Sequence, residues 1–136
     1  MRLFSLFAIS TLIVGHSAMA GAAGPSGQWG GEMRQIESST ESRFPMSVSF
    51  KGSKGIAKYP SLNCGGTWKK VSEVAGGYTV YKEHITFGTA KSAGERGCVD
   101  GIVVVARQGG KLTLGWFGAF DGEPLLASAV LSKAAK

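Results

Sequence analysis

The sequence predicts an all-β fold: a single small antiparallel barrel or closed sandwich of about seven or eight strands with one disulfide. Three observations predict it. Short β-prone runs recur at even spacing from Gln28 to Ser132, and glycine or proline closes most of them. Two of the runs alternate cleanly with a period of two. No stretch carries a helical period, apart from one candidate turn at residues 37–42.

In chain order the predicted strands are 28–36, 46–51, 67–74, 78–87, 101–107, 111–120 and 125–132, with a weaker eighth at 55–59. The breaks are Gly52-Ser53, Gly76-Gly77, Gly109-Gly110 and Asp121-Gly122. Gly76-Gly77 and Gly109-Gly110 suit tight hairpins, because glycine reaches positive φ at no steric cost. Pro45, Pro60 and Pro124 fall at run boundaries, where a missing N–H does little harm. In strand 78–87, Tyr81, Ile85 and Phe87 share a face with Thr79 and Glu83. That face is predicted to point inward, which leaves Glu83 as an acid on an apolar face. Leu112, Leu114 and Trp116 form a second inward row, opposite Thr113 and Gly115. Residues 102–105 are apolar on both faces, as in a central strand or one with a covered outer face.

Residues 1–20 have the three parts of a secretory signal peptide: Arg2, an apolar run at 3–14 and a small-x-small site at Ala18 and Ala20. Cleavage is expected after Ala20, giving a periplasmic or secreted protein. A flexible leader at 21–27 and a single β domain at 28–133 follow. The apolar run is short for a membrane span, and no later stretch serves as one. Cys64 and Cys98 are the two cysteines. In an oxidising compartment such an isolated pair reads first as a disulfide. A metal site or a reactive thiol would need histidine partners, and only His84 follows the signal peptide. No cofactor is expected.

The formal net charge is +6, and +5 once Arg2 is removed. Scattered lysines give a mild preference for an anionic partner, whether lipid head group, acidic glycan or acidic protein. The same lysines also serve to keep a β protein soluble. No nucleic-acid motif is present.

The densest signatures are Tyr59-Pro60-Ser61-x-x-Cys64-Gly65-Gly66, then Glu83-x-Ile85-x-x-Gly88, then Cys98-x-Asp100-Gly101. Their order resembles a group of small exported bacterial β-domains, some carried as C-terminal modules on larger proteins. The resemblance covers about half of the mature chain. It implies an extracytoplasmic, disulfide-bearing β-domain and attaches no activity to it. Gly27-Gln28-Trp29 is similar to the Gly-x-Trp that opens lipocalin and avidin-like barrels. That likeness implies a barrel with a ligand, in which a late cation such as Lys133 packs over the tryptophan.

The candidates for catalysis are Glu73, Glu83, His84, Asp100 and Asp121. Glu83 and His84 point to opposite faces of one strand and cannot act as one acid–base pair. Glu83 and Asp100 would form paired carboxylates if their strands adjoin. The simpler role for a carboxylate beside glycine loops is to accept backbone N–H bonds and anchor them. The expectation is therefore a non-catalytic binding protein for a small hydrophobic or anionic ligand. Trp29, Trp68, Tyr81, Glu83, Asp100, Trp116, Phe117 and Phe120 are the candidate contacts. The alternatives are an inhibitor or immunity-type protein that blocks a secreted hydrolase, and an envelope structural factor. A cavity above ~300 Å³ favours the first of these.

Overall fold

The computed structural model describes residues 24–92 and 95–135. The expected signal peptide lies outside these residues, as do the first three residues of the leader. The described chain forms a closed barrel of eight antiparallel strands in sequence order. They are β1 (Gly27–Glu37), β2 (Thr40–Lys51), β3 (Lys54–Tyr59), β4 (Cys64–Val74), β5 (Tyr78–Phe87), β6 (Gly101–Gln108), β7 (Lys111–Phe120) and β8 (Glu123–Lys133). β1 closes the barrel on β8, with Trp29 opposite Lys133 and Gln35 opposite Ala127. A closed barrel has no free sheet edge, so every strand has a neighbour on both sides.

Period-two burial builds the interior. β2 contributes Phe44, Met46, Val48 and Phe50, β7 contributes Leu112, Leu114 and Trp116, and β8 contributes Leu125, Ala127, Ala129 and Leu131. Each large apolar side chain removed from water in this way contributes roughly 1.5–3 kcal/mol. One half of the interior is filled by rings. Phe50, Trp68 and Tyr81 pack with centroids 5.6–5.9 Å apart. Trp29 plugs the end of that half, its indole N–H donating to the Ser26 carbonyl at 2.9 Å. Lys133 Nζ lies 5.6 Å and the Arg107 guanidinium 5.9 Å from its ring centroid. The cation expected over this tryptophan is thus Lys133, joined by Arg107.

Four expectations are corrected. Residues 37–42 are not a helical turn. β1 and β2 run on into a long hairpin that pairs Glu37 with Thr40, with Ser38 at φ 50°. Pro45 is not a boundary but lies within β2. The β3 ladder begins only at Ser47, so at Pro45 the strand is paired on one side alone, where a missing N–H is tolerated. Phe87 does not point inward: it is 52% exposed. The ladder slips at Gly65/Gly66, which face Phe87 and Ile85 respectively, and the extra residue breaks the alternation. Finally, of the two readings of residues 102–105 the central strand holds, with β6 between β5 and β7, and the covered outer face does not, since Ile102 is 41% exposed on the outer wall.

Candidate functional site: a carboxylate-floored cavity at the barrel mouth

The half of the interior opposite Trp29 is not filled. A cavity of about 540 Å³ opens between the β1–β2 hairpin, the β5–β6 loop and the β7–β8 turn. Met33, Phe44, Leu125 and Ala127 contribute apolar wall, Tyr59 and Trp116 line its depth, and Phe120 lies at the rim. Ala127 leaves space where a larger side chain would fill it. Glu37, Glu95, Asp121 and Glu123 also line the cavity, at its loop-bearing end.

Glu83 forms part of the cavity floor and is 1% exposed. Its Oε1 accepts hydrogen bonds from the Tyr59 hydroxyl at 2.6 Å and the Trp68 indole N–H at 2.8 Å. Its Oε2 accepts one from the Trp116 indole N–H at 2.6 Å. Indoles can only donate, so this arrangement suits the ionised carboxylate. Burial pushes the Glu83 carboxyl above its ordinary value, and the three donors oppose that rise. Burial, followed by the charge on Glu83, holds the Tyr59 hydroxyl well above the usual tyrosine range. Tyr59 is therefore a neutral donor.

The sequence signatures build this floor. Gly101 stands directly opposite Glu83 in the β5–β6 ladder, and Gly118 stands opposite Gly101 in the next. The Trp116 indole lies across both glycines, where any Cβ would collide with the ring. Two missing side chains thus let Trp116 reach across β6 to Glu83. Tyr59 leads into a 3₁₀ turn (Pro60–Leu62) that ends at Asn63 in the left-handed region, with its N–H bonded to the Pro60 carbonyl at 3.1 Å. Cys64 follows and bonds to Cys98. Gly88, at φ 69°, lies so close to Asn63 and Cys64 that no side chain fits. Cys98 pairs with Thr89 across the loop, donating to the Gly88 carbonyl at 3.0 Å and accepting from Ala90 at 2.9 Å.

Asp100 completes the loop from outside. It accepts the Ile85 backbone N–H at 2.7 Å and lies 3.1 Å from His84 Nδ1. That N–H is the main cause of its carboxyl being held below the ordinary value. Asp100 is thus a backbone anchor on the outer wall, whereas Glu83 is held by side chains inside. The two carboxylates have separate sets of hydrogen-bond partners. His84 is exposed beside Asp100.

The predicted contacts therefore separate. Glu83, Trp116 and Phe120 line the cavity, and Trp68 supports Glu83 from the neighbouring strand. Trp29 and Tyr81 belong to the filled half. Phe117 is on the outer wall in a row of exposed apolar side chains, Ile102, Phe117, Leu126 and Ile36, paired strand to strand. Sequence reasoning missed Tyr59, Phe44 and the β1–β2 hairpin. The signal for Tyr59 was its place at the head of a signature that also contains the disulfide.

Among the described residues there is no cluster of potential metal ligands, and no helix long and apolar enough to cross a membrane. No family model, curated protein or solved structure matches the chain.

Proposed function

We propose that this chain is an exported, non-catalytic binding protein that holds a small, largely apolar molecule in the mouth cavity. One observation carries the proposal: half of a small barrel is left open, as a cavity of about 540 Å³, while the other half is packed with rings. That volume lies within the range of ~300–1,000 Å³ typical of small-molecule sites. A chain selected for stability alone would gain by filling it. The disulfide suits an oxidising compartment, and export is tested by whether the protein recovered from the cell envelope begins at Gly21.

Native mass spectrometry of the protein purified from its own compartment tests the binding. A small-molecule adduct that is lost on denaturation is the expected result, and Ala127→Leu, which projects a larger side chain into the cavity, weakens or removes it. A bare monomer in both cases overturns tight ligand binding. The exposed outer-wall row favours a second reading, a protein-binding role such as an inhibitor of a secreted hydrolase. A co-purifying protein supports that reading instead.

A further inference from the structure

We propose that the mouth cavity selects organic cations: an ammonium-bearing molecule with an apolar body, its charged group lying against Glu83. The inference rests on the binding reading above and adds the charge of the ligand.

The floor carries a buried negative charge with no counter-charge. Tyr59, Trp68 and Trp116 are neutral donors, and no ion pair to Glu83 forms among the described residues. A buried ion is costly unless an opposite charge or enough hydrogen bonds replace its water. A carboxylate offers about four acceptor positions. Two are taken on Oε1 and one on Oε2, which leaves one on Oε2 of a side chain that lines the cavity. A cationic head group placed there supplies the missing charge.

The walls agree with a cation. Phe44, Tyr59, Trp116 and Phe120 supply aromatic rings, whose faces attract ammonium groups, quaternary ones included. No lysine or arginine lines the cavity among the described residues, whereas four further carboxylates do. Part of the chain's positive charge gathers at the other end of the barrel, and the cations near the mouth, Arg34, Arg43, Lys91 and Arg96, stay outside the cavity lining. Lys51, Lys54, Lys69, Arg107, Lys111 and Lys133 all lie towards the Trp29 end of their strands. The chain is basic overall, yet the charged side chains that line the mouth cavity are acidic. The acidic rim also steers a cation towards the opening.

The test uses three probes of equal chain length: octyltrimethylammonium, octanol and octanoate, titrated calorimetrically into the purified protein. The cation is expected to bind at least about tenfold more tightly than octanol, with octanoate weakest. Glu83→Gln erases the preference of cation over octanol. Because that variant disturbs a buried network, the exposed rim pair Asp121→Asn with Glu123→Gln serves as the second variant and narrows the preference by a few fold. Octanol or octanoate binding as tightly as the cation overturns the inference and leaves the binding proposal standing. A cation preference unchanged in folded Glu83→Gln also overturns it. Failure of all three probes to bind folded protein removes the binding proposal and this inference together.

Discussion

A charged side chain inside a barrel persists only where donors replace its lost water, and Glu83 has three of them. Glu83→Leu leaves two indoles and a phenol without an acceptor and should cost about 3–5 kcal/mol in a urea titration. Glu83→Gln keeps the shape but sets an amide N–H₂ against one of the donors, and about 1–3 kcal/mol is expected. The pH dependence separates the two oxygen chemistries. Burial raises the folded pKa of Glu83, so the folded chain holds that proton more tightly than the unfolded chain. The stability of the wild type relative to Glu83→Gln should therefore fall as pH rises from about 4.5 through the raised folded value, then level off. A gap that widens with rising pH contradicts this account. Glu83 was legible in the sequence as an acid on an apolar face. Its partners were not, because two of its three donors come from strands not adjacent to β5 in the barrel, and alternation does not place such contacts.

The β5–β6 loop shows what a short signature can encode. Its fastenings are the Cys64–Cys98 bond, the Thr89–Cys98 bridge, and Asp100 on the Ile85 N–H. The disulfide spans 34 residues. Converting both cysteines to serine should lower stability by about 3–4 kcal/mol in the chain-entropy model and increase amide exchange through residues 88–100. Asp100 behaves oppositely to Glu83. Its folded pKa is lowered, so its contribution is present above the unfolded value and is lost as pH falls through the folded one. Asp100→Asn should cost about 1 kcal/mol or less at neutral pH, given its exposure, with the difference vanishing in strong acid. Gly101→Ala is a sharper test, because the new methyl occupies the position of the Trp116 ring. We expect that indole to move away from Glu83, with a changed near-ultraviolet dichroism and a loss of about 1–3 kcal/mol. The bounds of strands 78–87 and 111–120 were legible from alternation and their flanking turns, whereas the slip at Gly65/Gly66 that turns Phe87 outward was not. The long β1–β2 hairpin was not, because Glu37 to Ser42 are polar and Pro45 reads locally as a stop.

At the scale of the whole molecule the barrel divides into a filled half and an open half whose cavity lining carries carboxylates and no lysine or arginine among the described residues. Its closure was foreshadowed by even strand spacing and by Gly27-Gln28-Trp29, with Lys133 folded over the ring. The cavity was not legible, because it depends on what fails to meet across the interior, Ala127 above all. The placement of charge was equally hidden: a composition gives the sum of the charges but not which of them line the cavity. The three tryptophans report on this division. Trp116 and Trp68 donate to Glu83, and Trp29 donates to Ser26 in the filled half. The most direct measurement is a proton–nitrogen correlation spectrum of the indole N–H groups during titration with octyltrimethylammonium. The account predicts that the Trp116 signal shifts most, Trp68 less, and Trp29 stays in place. A saturating titration that moves Trp29, or leaves Trp116 unmoved, contradicts it.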